Sequence, residues 1–328
     1  MSDTDLDNVD RKLLSLLQTG FPLTREPYGD LGIKLGISSD EIIHCIHQLK
    51  VKGVVRQISP VLDARRLGYQ GTLVAMKIAN DRIERAEQFL NEHQGVSHGY
   101  ERDHDFNIWI TLSIPREVDM QAELQRLLSL TGAETIFTLP AIKVFKLRTN
   151  FGLDDDNHLE ADITAGSNLP KKVELTQLDR RVINELQQDL PLTSDPFNAL
   201  SGRLNMRVDT LLQHCRSLLQ RGIIRRYGAS INHYRAGYKA NAMTCWTAPP
   251  DKVDTIGRKL ASLKQVSHCY ERKTNTLWHY NLFVMIHSHT RMGCRDIVSK
   301  ISVDTGLSDY AILFSTREFK KTRIKYLV

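Results

Sequence analysis

The sequence is short of the features that mark several large protein classes. No run approaches the roughly 18 apolar residues that a membrane-spanning helix needs. The opening MSDTDLDNVD has neither the positive start nor the apolar stretch of a secretory signal. A cytoplasmic protein without a membrane partner is expected. Cysteines are few and odd in number (Cys45, Cys215, Cys245, Cys269, Cys294), with no CxxC and no repeated spacing, which excludes the usual pattern of a disulfide framework or a zinc ribbon. Also missing are an HxxxH zinc site, a Gly-rich phosphate loop and a GxSxG elbow. His44-Cys45-x-His47 falls at i, i+1 and i+3 of an expected helix, where the three side chains do not share a face. No metal held by protein side chains is expected.

What the chain does carry is charge, unevenly spread. Residues 1–150 hold 18 basic and 20 acidic groups, 151–172 hold 2 and 5, and 173–328 hold 24 and 13. The C-terminal half therefore projects a positive field suited to nucleic acid, anionic lipid or a carboxylate-rich small molecule.

The chain is also a repeat, at a spacing of 169 residues. Leu6 to Arg11 recurs as Leu175 to Arg180, Pro22-Leu23-Thr24 as Pro191-Leu192-Thr193, Gly53 to Arg56 as Gly222 to Arg225, and Gly68-Tyr69 as Gly237-Tyr238. One residue out of phase, Val96-Ser-His98-Gly-Tyr100-Glu101-Arg102 recurs as Val266-Ser-His268-Cys-Tyr270-Glu271-Arg272. Two copies of one unit predict an intramolecular pseudo-dimer. The stretch between them, 151–172, has few apolar residues, an Asp triplet, and Gly, Ser, Asn and Pro near its end, and reads as a linker.

Within each unit the first part is helical. Val9, Leu13, Leu14, Leu16 and Leu17 have amphipathic spacing, Tyr28 to Leu35 forms a short second helix closed by Gly36, and Ser38 or Ser39 caps a third with an Ile42, Ile43, Ile46, Leu49 stripe. A hairpin-like wing over Val54–Ile58 completes a winged helix-turn-helix pattern. The remainder alternates as strand 72–79, helix 82–92, strands 96–102 and 107–113, helix 117–129, and strands 134–139 and 141–148, the ferredoxin-like βαββαβ order. The fold class is α+β, a tandem duplication with winged helix-turn-helix domains at 1–66 and 173–235 and βαββαβ domains at 67–150 and 236–328.

This order resembles the Lrp/AsnC transcription regulators over the whole of each half. Arg225-Arg226-Tyr227-Gly228-Ala229 with His233 and Gly237-Tyr238, His104-Asp-Phe-Asn107-Ile-Trp109, and Tyr280-Asn281-Leu-Phe-Val-Met-Ile-His287 are similar to the siroheme decarboxylases of the haem d1 and alternative haem pathways, in their fused two-half form. That resemblance implies a carboxy-lyase converting siroheme to 12,18-didecarboxysiroheme with loss of two carbon dioxide molecules. It implies no added cofactor, since the iron travels with the tetrapyrrole substrate, and other enzymes of the haem d1 pathway as further partners.

Such chemistry needs cations to hold carboxylates and a proton donor near neutrality. The expected holders are Arg225, Arg226, Arg272 and Arg102, with Tyr227, Tyr270 and Trp278 as flat surfaces beside the macrocycle and Gly228-Ala229 allowing close approach to the backbone. His98, His268, Asn107 and Asn281 occupy matched positions that can also touch substrate. His104 and His233 are the expected catalytic acids, one surviving in each half, with His279 in reserve. His44, His47 and His214 belong to the helix-turn-helix units and His158 to the linker. Two other classes use the same fold: a DNA-binding regulator, which would bind duplex in a salt-dependent way, and a non-catalytic tetrapyrrole carrier. Asp40, Glu41, His44, His47, Gln48 and Lys50 on the first recognition helix, and Asp209 early in the second, argue against specific DNA binding.

Overall fold

A computed structural model describes residues 6–147, 173–231 and 240–326. The 151–172 linker and His233, Gly237 and Tyr238 lie outside the described residues.

Each helical unit forms where its caps and apolar spacing direct it. Helix α1 (Asn8–Thr19) starts at Asp7, whose side chain accepts from Asp10 N–H, and buries Leu13, Leu14 and Leu17. Helix α2 (Pro27–Leu35) ends at Gly36 with φ 73°, a left-handed position that favours glycine. Helix α3 (Ser39–Val51) is fixed by a Ser38–Glu41 capping box. Helices α6 (Gln177–Leu186), α7 (Pro196–Arg203) and α8 (Val208–Gln220) repeat the arrangement.

The segment expected as a wing hairpin behaves differently. Val55–Leu62 is a single strand, β1, and it pairs antiparallel with β7 (Ile224–Ile231) of the other half. No tight two-residue turn follows Ile58, so the chain runs on to Leu62 and finds its partner across the repeat. Ser59 lies opposite Gly228, its own counterpart in the repeat, so the pseudo-two-fold axis passes through this pair. The helical units of both halves share one hydrophobic core, from Leu13 and Ile46 to Val182, Leu212 and Tyr227.

Below this lies a nine-stranded sheet, in the order β5-β2-β4-β3-β11-β8-β10-β9-β6. Its strands are β2 (Tyr69–Lys77), β3 (Val96–Arg102), β4 (Ile108–Pro115), β5 (Thr135–Leu139), β6 (Ala141–Leu147), β8 (Ala240–Trp246), β9 (Val266–Arg272), β10 (Leu282–Ser288) and β11 (Tyr310–Lys321). Helices α4 (Ile83–Glu92), α5 (Met120–Thr131), α9 (Val253–Ala261) and α10 (Arg291–Thr305) pack on one face. The halves exchange strands at their edges: β6 of the first pairs with β9 of the second, and Ser315–Lys321 of β11 pairs with β3 of the first. Each exchanged strand carries a phenylalanine into the other half's helix-side core. Phe319 lies over Gly99, where any Cβ would collide with its ring, and Phe145 would stand 2.5 Å from a Cβ at Gly257. Among the described residues, no helix is long and apolar enough to cross a membrane.

Strand exchange predicts that breaking the chain within 151–172 leaves a single particle in size-exclusion chromatography, because the halves share three β-ladders and one core. Separation into two stable monomers would contradict the interlock. Phe319→Ala should cost about 2 kcal/mol of stability by urea unfolding, below the roughly 3–5 kcal/mol of a fully buried Phe because this ring is only partly covered.

Candidate active site

Between the β1–β7 ribbon and the nine-stranded sheet lies a cavity of about 490 Å³, lined from both halves. Its sheet-side wall is set by period-2 alternation along β3 and β9: His98, Tyr100 and Arg102 from one half face His268, Tyr270 and Arg272 from the other. A β-bulge falls at the same place in each strand. The pairing slips between Val96 and His98 against β4, and between Val266 and His268 against β10. The extra residue is Ser97 or Ser267, so each serine shares the cavity side with its neighbouring histidine.

The histidines are tied to these serines. His98 Nδ1 lies 2.9 Å from Ser97 Oγ, and His268 Nδ1 lies 2.7 Å from Ser267 Oγ, which is also 2.7 Å from Nε2 of His287 on β10. Burial, reinforced by neighbouring cations, pushes His98 down to about 4 and His268 to about 3, with His287 at about 4. Depressed this far, all three rings are neutral at pH 7.

Cations dominate the lining: Arg56, Arg102, Arg226, Arg272, Lys321 and Arg323, with no acidic side chain lining it among the described residues. Most of their hydrogen bonds go to backbone carbonyls. Arg102 Nη1 donates to Leu313 O (3.1 Å), Arg272 Nη1 to Leu139 O (2.8 Å), Arg226 Nη1 to Gln18 O (2.7 Å) and Arg323 Nη1 to Ser59 O (2.8 Å) and Pro60 O (3.2 Å). Arg56 also pairs with Glu318 at 3.0 Å, and Lys321 with the same carboxylate at 3.6 Å. The floor is aromatic, with Trp109 and Phe283 at matched positions and Arg272 stacked 4.7 Å from the Tyr270 ring centroid.

The sequence-derived site residues divide. His98, His268, Arg102, Arg272, Tyr270 and Arg226 meet in the cavity. Arg225 does not line it; its side chain is exposed, although its charge still acts on Tyr270. Tyr227 is a correction: it is core, its ring 5.6 Å from Phe21 and 5.9 Å from Phe197. Gly228 is required by helix packing, since a Cβ there would strike Leu17 O. Trp278 lies in an aromatic cluster with Trp109 and Phe106 and is not in the lining. His104 belongs to that cluster too, its Nδ1 accepting from Phe106 N–H at 3.0 Å and its ring 5.3 Å from Trp278, so it stands outside the cavity. His279 is largely exposed beside Asp309 (3.1 Å). Asn107 and Asn281 are structural clamps: each side chain accepts from and donates to one backbone peptide, Ile78 at 3.0 and 2.7 Å and Ala248 at 2.8 and 2.8 Å.

Sequence reasoning missed Trp109, Phe283, His287, Arg56, Lys321, Arg323 and Asn241 in the lining. Alternation could have found His287, which shares a face of β10 with Phe283 and Met285.

A duplicated helix-turn-helix and ferredoxin-like chain, with a cationic cavity on its pseudo-two-fold axis that no described acidic side chain lines, defines an Lrp/AsnC-like protein. Comparison with known proteins narrows this. The model of the AsnC-like ligand binding domain matches residues 66–146 and 235–320, and that of the siroheme decarboxylase NirDL-like HTH domain matches 10–56 and 179–225. The chain is 38% identical over 316 residues to the siroheme decarboxylase of Hydrogenobacter thermophilus (96% of this chain, 94% of the relative). It is 39% identical over 153 residues to the siroheme decarboxylase alpha subunit of Desulfovibrio desulfuricans (47% of this chain, 88% of that subunit). It superposes on the crystal structure of the siroheme decarboxylase NirDL with TM-score 0.75 at 35% identity, covering 98% of this chain and 95% of that one, and equally well on the same enzyme in co-complex with an iron-uroporphyrin III analogue (34% identity). The chain belongs to the siroheme decarboxylases, and is a carboxy-lyase.

The depressed histidines make stability depend on pH. Each is neutral in the folded chain but binds a proton near pH 6.5 once unfolded, so protons favour unfolding. Their contribution is intact above about 6.5 and is lost as pH falls towards 4, by about 1.4 kcal/mol per pH unit for each histidine. Urea unfolding at pH 7.5 and 5 should reveal this slope, and His268→Gln should flatten it. An unchanged slope would show that His268 is not buried neutral.

Proposed function

We propose that the chain converts siroheme to 12,18-didecarboxysiroheme in haem d1 or alternative haem formation, turning two acetates into methyls with release of two carbon dioxide molecules. The observation that carries this reading is the cavity lined by cations and, among the described residues, by no acidic side chain, with neutral histidines in its wall. Siroheme's carboxylates suit Arg56, Arg226, Arg272, Lys321 and Arg323, and its macrocycle suits the Trp109 and Phe283 floor. Iron belongs to the substrate, and no further cofactor is required.

As each carbon–carboxylate bond breaks, the electron pair stays on the methylene and is delocalised into the macrocycle. It is then quenched by one proton, forming the methyl C–H bond. With Nδ1 of His98 and His268 engaged by serine, Nε2 is the nitrogen left for the substrate. Burial is the main cause of their neutrality and nearby positive charge adds to it; bound carboxylates offset that second part, since a nearby negative charge favours imidazolium. The acid is thus generated where substrate is present. His98, His268 and His287 are the donors that the geometry favours; His233 is retained as a candidate.

The helix-turn-helix units are not proposed to read DNA. Arg25 pairs with Asp209 of α8 at 2.5 Å, Arg216 donates to Leu23 O at 2.9 Å and Arg221 is held by Asp179 at 2.9 Å, so much of the basic surface of α8 is committed within the chain. A mobility shift at low salt should show no sequence preference. Discrimination of roughly a thousandfold over unrelated duplex would revive the regulator reading.

Anaerobic incubation with siroheme and mass analysis of the pigment tests the proposal: the product should have lost two carbon dioxide molecules. An unchanged mass with tight binding would make the chain a carrier. Arg226→Met should weaken pigment binding by about tenfold or more, the value of one charge-assisted hydrogen bond. His268→Ala should bind pigment but slow turnover by roughly a hundredfold to ten-thousandfold, whereas His104→Ala should turn over near the wild-type rate.

A further inference from the structure

The two histidine sites are not equivalent. In the second half, Ser267 is fully buried and stands within hydrogen-bond distance of two imidazoles, His268 Nδ1 and His287 Nε2, both at 2.7 Å. In the first half Ser97 meets only His98 in this way, at 2.9 Å, and its other contact is the Thr111 carbonyl at 3.5 Å. The separation of Asn107 from Asn281 makes Ser113 the counterpart of His287, so the second imidazole is missing there. The facing strands differ as well: Leu147 lies opposite His268, and Lys321 opposite His98.

A serine hydroxyl has one proton. It can donate to only one of its two imidazoles and must accept from the other. The bridge therefore forces the rings into complementary states. If Ser267 donates to His268 Nδ1, the proton of His268 sits on Nε2, the nitrogen left for the substrate, and His287 donates its Nε2–H to Ser267. If the bridge runs the other way, His268 Nε2 is bare and cannot act as an acid.

We propose that Ser267 is a positioning residue that couples His268 to His287, fixing His268 with its Nε2–H towards the substrate and relaying each consumed proton from His287. The inference rests on the decarboxylase reading above. Protonated His287 passes its Nε2 proton to Ser267 Oγ, the Ser267 hydroxyl proton moves to His268 Nδ1, and the His268 Nε2 proton forms the new C–H bond on the carbon that has lost carbon dioxide. The broken carbon–carboxylate bond supplies the electron pair. Both rings end neutral with the bridge reversed; it is reset when His268 Nε2 takes a proton from water and the His268 Nδ1 proton passes back through Ser267 to His287. His98, lacking the second imidazole, has no such supply, so the half-site formed by β9 and β10 is the better equipped for protonation.

The test compares Ser267→Ala with Ser97→Ala, using siroheme turnover, binding of iron-uroporphyrin as a non-reacting probe, and histidine side-chain ¹⁵N NMR. Ser267→Ala should bind the probe within about twofold of wild type yet lose at least about tenfold in kcat, and Ser97→Ala, which releases one ring rather than two, should lose less. In the wild type, His268 and His287 should show opposite protonation at the nitrogens facing Ser267, and this order should vanish in Ser267→Ala. Equal losses in the two variants, or wild-type turnover by Ser267→Ala, would overturn the coupling. Should Ser267→Ala fail to fold, the wild-type spectrum alone decides, because rings without opposite protonation refute the bridge. A wild-type chain that binds siroheme without changing it would instead refute the decarboxylase reading, and the spectrum would still report on the bridge.

Discussion

The reciprocal exchange of edge strands is the constraint on which the rest of the structure depends. A four-stranded βαββαβ sheet has an open edge, and each half closes the other's: β6 on β9, and the end of β11 on β3. The exchange fixes the halves about the Ser59–Gly228 axis, brings the two His-x-Tyr-x-Arg strands into one wall, and delivers Lys321 and Arg323 to the cavity. A repeat unit alone would have only half the wall.

Pseudo-symmetry supplies the pocket and its breaking supplies the chemistry. Several features that both halves retain serve architecture: the bulge at Ser97 and Ser267, the clamps of Asn107 and Asn281, and the bonds of Arg102 and Arg272, each to a backbone carbonyl of the other half. Other features differ between the halves: His287 of the cavity lining has Ser113 as its counterpart, and Lys321 and Leu147 line the cavity opposite His98 and His268. An unsymmetrical substrate can be oriented only by an unsymmetrical site, and fusing the two halves in one chain allows each to diverge separately.

Much of the fold was legible in the sequence because the signals were local and doubled. Capping at Ser38, the glycine at 36 and the strand alternation of 96–102 each have a short-range cause, and the repeat let one half check the other. The wing was misread because strand pairing is non-local: nothing in Val54–Ile58 says that its partner is 224–231. The site was legible where it lay on alternating strands, as with His98, His268, Arg102 and Arg272. It was misread where residue type stood in for position. His104 and Trp278 have suitable chemistry, but their turns fold them into an aromatic cluster, and Tyr227 faces the helical core. Arg56 and Arg323 gave no local signal, since they reach the cavity only through the β1–β7 ribbon and the β11 exchange.

Burying six cations around one cavity is costly unless their N–H groups are satisfied, and the usual solution, pairing with carboxylates, would abolish the site by neutralising it. The structure takes another route for four of the six, while Arg56 and Lys321 share the Glu318 carboxylate. Arg102, Arg226, Arg272 and Arg323 donate to backbone carbonyls of the opposite half or of the helical core, and Arg56 to the carbonyl of Lys321 (2.6 Å). A carbonyl satisfies donor geometry but carries no net charge, so the positive potential survives for a ligand while the side chains stay fixed. The same bonds tie β1, β7, β5 and β11 together across the halves, which makes the electrostatics of the cavity and the interlock of the repeat a single set of contacts. Such a field has a direct effect on a multiply charged substrate. On the mechanism proposed above, it stabilises the carboxylates that must be kept, and the one that is lost is one the cations leave unheld, beside a histidine. Selectivity among chemically similar carboxylates then follows from where the arginines are not.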